Sequence, residues 1–199
     1  MNAVVDGVAA EGIAVVADFL PEAMIAALRA EALRRDGGGL LTAAATGHGP
    51  TRTVHRDVRG DRIGWLDHVD AAPVERELLA RLEALRIALN RELTLGLWRY
   101  EGHYALYPAG ARYARHVDRF RDDDSRVLSL VLYLNAGWHA THGGALRIAR
   151  AGAASRDVLP QGATLVAFLA ADFEHEVLPS SRTRIAVTGW YRTRDPQLQ

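Results

Sequence analysis

The chain of 199 residues contains no cysteine, so disulfides, thiolate zinc sites and thiol catalysis are excluded. Basic and acidic residues balance at 24 each, which argues against a general binder of nucleic acids or anionic membranes. No apolar run approaches the roughly 18 residues that a membrane span needs. The first residues also lack the basic start and apolar run of a secretion signal. We therefore expect a cytoplasmic protein that binds neither nucleic acid nor membrane. Its oligomeric state is left open.

The first half of the chain shows helical patterns. Residues 12–17 indicate a short strand, and the next residues begin a helix that continues to about Arg35, before three glycines. Residues 40–56 have no clear period and are expected to form a mobile loop. Residues 73–94 predict a second helix with an ion pair between Glu77 and Arg81 and an apolar face formed by Leu78, Leu82, Leu85 and Leu89.

From Leu97 onward the pattern changes to short β-like runs separated by proline and glycine: 97–107, 112–117, 127–134, 145–149, 164–169, 175–178 and 184–191. Helices followed by about eight strands predict an α+β fold. We expect a double-stranded β-helix (jelly roll, cupin-like) with the helices packed on one sheet. No linker divides residues 1–199, so we predict a single domain with helical support at about 1–95 and a jelly-roll core at about 96–192.

A possible metal site lies in the run Arg115-His116-Val117-Asp118. Residues two apart in a strand point to the same side, which brings an imidazole and a carboxylate together. His175 lies in a later strand-like run, and two histidines with one carboxylate form the facial triad of non-haem Fe(II) oxygenases. These three ligands leave open positions that suit a bidentate 2-oxo acid and O2. A carboxylate at 118 also fills the position that a halide would need, which favours hydroxylation over halogenation.

Arg184 stands nine residues beyond His175, in another strand-like run. A 2-oxo acid with a second carboxylate needs a fixed cation, and the planar guanidinium of arginine binds carboxylates in a bidentate manner. Tyr133 is either a hydrogen-bond donor to that carboxylate or a core aromatic, and Thr188 is a further candidate. Zinc can use the same triad, but zinc hydrolases have no evident need for such an arginine.

These residues resemble the 2-oxoglutarate- and Fe(II)-dependent dioxygenases, in particular the prolyl hydroxylase branch that includes the animal oxygen-sensing enzymes and their bacterial relatives. The similarity extends from about residue 12 to 192, through blocks in the family's order: 12–20, 57–65, 107–118, 133–138, 143–148, 175–179 and 184–191. Differences lie around the substrate entrance, where the segment after Asp118 is more charged. The identity of the substrate is therefore the least determined part of the resemblance.

The resemblance implies roles for individual residues. His116, Asp118 and His175 would bind Fe(II), and together with Arg184 they would form the catalytic centre. Three further residues would join Arg184 in the 2-oxoglutarate site: Tyr133, Thr188 and Tyr107. The substrate site would comprise Arg126, Trp190, Tyr113, Arg59 and Asp61. Without the resemblance, Arg59 and Asp61 would be read as charges of a solvated loop.

The resemblance implies hydroxylation of a prolyl residue in a protein or peptide, with Fe(II), 2-oxoglutarate and O2 required and ascorbate as a supporting reductant. By analogy with bacterial relatives, elongation factor Tu is a candidate target. Two alternatives remain. One is a hydroxylase of a small molecule or free amino acid, and the other is a metal or 2-oxoglutarate sensor without turnover.

Overall fold

The computed structural model describes residues 1–45, 53, 55, 57–67, 69–119 and 124–193. Within these residues lie three α-helices: α1 (Asn2–Glu11), α2 (Glu22–Gly37) and α3 (Pro73–Leu93). The same residues form eleven strands, which are β1 (Ile13–Val16), β2 (Thr42–Ala43), β3 (Arg62–Trp65), β4 (Arg99–Tyr107), β5 (Tyr113–His116), β6 (Arg126–Tyr133), β7 (Leu146–Arg150), β8 (Arg156–Val158), β9 (Leu165–Leu169), β10 (Phe173–Val177) and β11 (Arg184–Arg192).

The strands form two antiparallel sheets. The larger has seven strands in the order β1-β9-β6-β11-β4-β3-β2, and the smaller has four in the order β5-β10-β7-β8. The chain passes back and forth between the two sheets, which is typical of a jelly roll. The predicted fold class is therefore confirmed. β8, which the sequence patterns did not predict, completes the eight strands after α3.

The helices cover the outer face of the seven-stranded sheet. The four leucines predicted for one face of α3 are all buried in a core that also contains Leu28 of α2 and Tyr104 of β4. This core extends to α1, a helix that the sequence patterns did not predict, through Val4 and Val8. α1 ends at Gly12, whose φ of 73° lies in the left-handed region that favours glycine at a helix terminus. The prediction that helices pack on one sheet is therefore confirmed.

Alternation along β4 separates this outer core from the space between the sheets. Tyr104 and Leu106 point towards the helices, whereas Ala105 and Tyr107 belong to a second apolar cluster shared by the two sheets. Side chains on this inner face surround the site described below.

The predicted mobile loop at 40–56 is only partly described. Thr42 and Ala43 form β2, while residues 46–52, 54 and 56 lie outside the described residues. The charged block after this loop leads into β3, as predicted. In the part of the chain that the structure describes, no helix has the length and apolar character to cross a membrane.

Candidate functional site

Strand pairing brings the two candidate histidine ligands together. His116 of β5 lies directly opposite His175 of β10 in the antiparallel register, and their ring centroids are 4.2 Å apart. Tyr113 stacks on His116 at a centroid distance of 3.7 Å. Phe168 contacts the His175 ring edge-on, so both imidazoles are fixed by aromatic neighbours.

Asp118 completes the group from a position just beyond β5, because the strand ends at His116 and not at Val117 as predicted. Its Oδ1 lies 3.5 Å from Nε2 of His116, and its Oδ2 lies 3.6 Å from Nε2 of His175. The three possible ligand atoms all lie within 4.8 Å of one another. This set of two imidazole nitrogens and one carboxylate can hold a divalent transition metal and leave further coordination positions open.

Backbone carbonyls and one hydroxyl orient these ligands. Nδ1 of His116 lies 2.8 Å from the carbonyl oxygen of Ala114, and Nδ1 of His175 lies 3.3 Å from that of Phe173. Since each carbonyl accepts a hydrogen bond from an Nδ1 proton, Nε2 of each histidine is unprotonated. Its lone pair therefore points towards the centre of the three ligand residues. Ser129 of β6 donates a hydrogen bond of 2.7 Å from Oγ to Oδ2 of Asp118.

The electrostatics of the cluster match the protonation states that metal ligands require. Burial opposes the charge of Asp118, but the two histidines and the Ser129 hydroxyl outweigh it and hold the pKa of this carboxyl well below its ordinary value. Burial lowers the pKa of His175 to about 4, so its imidazole is neutral at pH 7.

A cavity of about 240 Å³ opens over the triad between the two sheets. Every site residue predicted from the sequence lines it except Tyr133, whose ring instead packs beside the guanidinium of Arg184. Apolar side chains, including Val131 and Leu146, form much of the remaining wall. A partly apolar cavity with converging polar groups is the usual form of a small-molecule site.

Arg184 supplies a buried cation to this cavity. The residue is 1% exposed, and its Nε donates to the carbonyl oxygen of Gly144 at 3.0 Å. Its guanidinium carbon lies 5.2 Å from the ring centroid of Tyr107 and 5.0 Å from that of Tyr133. Among the described residues, no carboxylate forms an ion pair with it. Because an unpaired buried charge is costly, this arrangement fits the binding of an anionic group.

The hydroxyl of Tyr133 is the second polar group beside Arg184. It is buried, and its proton has no acceptor among the described residues. Burial raises the pKa of Tyr133 against the opposing effect of Arg184, so the phenol is neutral and can donate a proton to a ligand. A carboxylate placed between Arg184 and Tyr133 would satisfy both groups.

The remaining predicted residues surround the triad and the cavity mouth. The guanidinium of Arg126 lies 3.5 Å from the ring centroid of Trp190, and its Nη1 donates to the backbone carbonyl of Asp118.

Arg59 pairs with Asp61 through two hydrogen bonds of 2.7 and 3.0 Å. Although burial opposes it, this pairing raises the pKa of Arg59 above its ordinary value. These two residues are thus a fixed, mostly buried pair and not the charges of a solvated loop.

Ser129 and His103 are among the polar residues of the site that the sequence patterns missed. Both lie on strands that the patterns predicted, where alternation places every second residue on the inner face. Ser129 is 1% exposed, as is His103, which lines the cavity. A polar residue at an inward position of a buried strand is the signal that would have found them.

Comparison with known proteins places the chain among oxygenases. The family model of the 2OG-Fe(II) oxygenase superfamily matches residues 102–192. Prolyl hydroxylase EGLN3 of Rattus norvegicus is 33% identical over 155 residues, which cover 68% of this chain and 59% of that protein. Egl nine homolog 1 of Homo sapiens is 34% identical over 149 residues, covering 70% of this chain and 34% of that protein. The chain thus spans less than two thirds of these curated relatives.

Two solved structures share the whole architecture. A prolyl-4-hydroxylase from Pseudomonas putida superposes with a TM-score of 0.88 and 46% identity, covering 98% of this chain and 99% of that one. A prolyl hydroxylase from Trichoplax adhaerens, in complex with a peptide fragment of the hypoxia inducible factor oxygen degradation domain, has a TM-score of 0.83. With 24% identity and coverage of 96% and 88%, this second structure supports the fold alone.

Proposed function

Because the chain belongs to the 2-oxoglutarate- and Fe(II)-dependent oxygenase superfamily, in its prolyl hydroxylase branch, we propose that it hydroxylates a prolyl residue of a protein or peptide. The observation that supports this most directly is the buried guanidinium of Arg184, which shares a cavity with the cluster of His116, Asp118 and His175. A metal hydrolase has no need for that cation, whereas an oxygenase that takes a dicarboxylic co-substrate does.

Fe(II) fits the donor set. His116, Asp118 and His175 would hold it through two nitrogens and one carboxylate oxygen, which is the ligand set of non-haem Fe(II) oxygenases. When bound, Fe(II), 2-oxoglutarate and O2 supply the oxidising chemistry, in which 2-oxoglutarate is decarboxylated to succinate and CO2 and one oxygen atom is transferred to the substrate. Asp118 occupies the position that a halide would need, so the expected product is an alcohol.

The far carboxylate of 2-oxoglutarate would lie between Arg184 and Tyr133. Arg184 supplies the charge, and the neutral Tyr133 supplies one hydroxyl proton that has no acceptor in the described part of the chain. Tyr107 lies against the same guanidinium, whereas Thr188 lines the cavity four residues further along β11, opposite His103 and outside the reach of this carboxylate. Apolar walls beside these groups exclude water and strengthen the charge-assisted hydrogen bonds.

The substrate would enter where Arg126 and Trp190 line the cavity, on the side where Tyr113, Arg59 and Asp61 border the triad. Stacking of Arg126 on Trp190 gives a rigid, flat surface on which a prolyl ring can pack. The fixed Arg59–Asp61 pair lies directly before β3. By analogy with bacterial relatives, we propose elongation factor Tu as the target, the cytoplasm as the location and ascorbate as the reductant that sustains turnover.

The test is to incubate the purified protein with Fe(II), 2-oxoglutarate, ascorbate and elongation factor Tu. Mass spectrometry should find one added oxygen on a prolyl residue, with succinate released in equal amount. Asp118→Ala should abolish both products. The matched control is Arg147→Gln on β7, which breaks an exposed pair with Asp157 of β8 and should leave both products unchanged.

Other outcomes separate the remaining hypotheses. Succinate release without oxygen on the factor would remove elongation factor Tu as the target. Turnover with free amino acids or other small molecules, but not with peptides, would favour a small-molecule hydroxylase. Binding of metal and 2-oxoglutarate with no succinate under any condition would favour a sensor without turnover.

A further inference from the structure

His103 is a buried polar residue that the proposed chemistry does not use. It lies on the inner face of β4, is 1% exposed and lines the cavity. Among the described residues, neither of its ring nitrogens has a hydrogen-bond partner. Since buried polar groups are nearly always paired in folded proteins, both nitrogens require an explanation.

The imidazole of His103 is neutral at physiological pH. Burial lowers its pKa to about 3, and the positive charge of Arg59 acts in the same direction. A neutral imidazole offers one N–H donor and one nitrogen acceptor. It can therefore donate to a carbonyl and accept from an N–H group, but it cannot form an ion pair with an anion without first taking up a proton.

Neighbouring strands hold the ring in place without pairing its nitrogens. Trp65 of β3 and Thr188 of β11 lie directly opposite His103 in the sheet. The Trp65 ring meets the imidazole edge-on at 4.9 Å, and the Trp190 ring lies 5.6 Å away. The Nε1 of Trp190 is likewise buried with no partner among the described residues. The two residues thus form a small polar subsite in an otherwise aromatic wall.

The position of this subsite favours the substrate over 2-oxoglutarate as its occupant. In the sheet, Arg184 lies opposite Tyr107 of β4. Tyr107 is four residues from His103, a distance of about 13 Å along the strand. A five-carbon dicarboxylate spans only roughly 6 Å from the C–C bond length. His103 instead neighbours Trp65, which is 44% exposed, and Trp190, which stacks with Arg126. It therefore lies on the outward side of the cavity.

We propose that His103 is a substrate-binding residue that hydrogen-bonds a backbone amide group next to the target prolyl, an inference that rests on the proposed function. The atoms around a prolyl offer what the subsite lacks. Proline itself has no N–H, but the flanking peptide groups present carbonyl acceptors and N–H donors. The neutral imidazole can pair with either, and Trp190 Nε1 can donate to a carbonyl. A substrate without such amide groups would leave these atoms unpaired, which gives the site a preference for peptides.

Nuclear magnetic resonance of the histidine rings tests this contact without turnover. The full chain, labelled with ¹⁵N-histidine, is loaded with Zn(II) and 2-oxoglutarate, and His103 is assigned by comparison with His103→Gln. The probes are N-acetyl-L-proline N-methylamide, which is a minimal prolyl unit with both flanking amides, and elongation factor Tu. We expect the ring ¹⁵N signals of His103 to shift while the ring stays neutral. Absence of a His103 shift with both probes would overturn the proposal.

Two substitutions test the same contact in the active enzyme. His103→Leu should raise the KM for the polypeptide substrate about tenfold, while the Kd of 2-oxoglutarate changes less than about twofold. His103→Gln, which keeps a donor and an acceptor, should recover part of the loss. Tyr104→Phe is the matched control, since it removes a buried hydroxyl from the opposite face of the same strand and should leave the KM unchanged.

The outcomes are distinct from those of the proposed function. Equal losses of affinity for substrate and 2-oxoglutarate, or a lower melting temperature with unchanged KM, would assign His103 a structural role and overturn the inference. A His103 shift on addition of the prolyl probe, together with no succinate release by the unmodified enzyme under any condition, would support the contact and refute the proposed function.

Discussion

The hydroxyl of Ser129 donates a hydrogen bond of 2.7 Å to Oδ2 of Asp118, across the boundary between the two sheets. Ser129 belongs to β6 of the seven-stranded sheet, whereas Asp118 follows β5 of the four-stranded sheet. The same Oδ2 lies 3.6 Å from Nε2 of His175. One hydroxyl therefore fixes the orientation of the carboxylate and leaves Oδ1 beside His116.

Removing this hydroxyl should weaken metal binding. In Ser129→Ala the carboxylate of Asp118 loses its orienting donor, and we expect the affinity for Mn(II) or Co(II) to fall by roughly 10- to 100-fold. Competition with a chromophoric chelator measures this affinity. Ser180→Ala is the control, because Ser180 is also buried but donates to the carbonyl of Arg182 away from the triad. An unchanged affinity in Ser129→Ala would show that the two histidines suffice to orient Asp118.

Replacing the buried cation should separate stability from co-substrate binding. Arg184→Met removes a guanidinium that has no carboxylate partner among the described residues, so the metal-free variant should be at least as stable as the parent protein. The Kd of 2-oxoglutarate should rise at least roughly 30-fold, because losing one partner of a buried charge pair typically costs about 2–5 kcal/mol. Urea unfolding in the presence of a chelator and anaerobic calorimetry with Mn(II) measure the two effects. A large loss of stability with intact binding would contradict the assignment.

The Tyr133 hydroxyl should matter only when the co-substrate is bound. Tyr133→Phe removes a buried hydroxyl whose proton finds no acceptor among the residues that the structure describes, so the free energy of unfolding of the metal-free protein should change by no more than about 1 kcal/mol. A hydrogen bond to a charged group contributes about 1.5–3 kcal/mol, so the Kd of 2-oxoglutarate should rise roughly tenfold to 100-fold. Calorimetry on the same Mn(II)-loaded protein measures this change. An unchanged Kd would assign Tyr133 to the core alone, which is the alternative that the sequence left open.

Much of the fold could be predicted because local periodicity determined it. The leucines of α3 recur at helical spacing and are all buried against the sheet, as expected. α1 was missed because its valines at 4, 5 and 8 are β-branched and Gly7 interrupts the run, which are features that disfavour an isolated helix. Packing of these valines against the sheet stabilises the helix, and that contact depends on residues distant in sequence.

The candidate site likewise contains residues that the sequence predicted and residues that only the folded structure reveals. His116 and His175 were identified from spacing and family resemblance, but the register that places them opposite each other exists only in the folded sheet. Ser129 and His103 have no local motif. The role of Ser129 depends on the contact between the sheets that brings it to Asp118, and that of His103 on its cross-strand neighbours Trp65 and Thr188. Sequence patterns give strands and their faces, whereas the polar contacts between strands require the register.

His103 should also make the protein sensitive to acid. The pKa of His103 is about 3 in the folded state, compared with about 6.5 in the unfolded chain. Four charged groups act on it: Arg59 and Arg126 lower its pKa, while Asp61 and Asp118 oppose them. Between these two pH values the unfolded state binds a proton that the folded state does not. The contribution of His103 to the free energy of unfolding is therefore fully present above pH 6.5 and declines as the pH falls towards 3.

His103→Gln should abolish this part of the pH dependence. From pH 7 to pH 5, the free energy of unfolding of the parent protein should fall by about 2 kcal/mol more than that of the variant, at about 1.4 kcal/mol for each pH unit below 6.5. Urea unfolding of both proteins with a chelator present measures the difference, and the other buried groups cancel because both proteins contain them. Parallel pH profiles would mean that His103 takes up its proton in the folded state. In that case it would be cationic near pH 5, and a bound backbone amide could only accept from it.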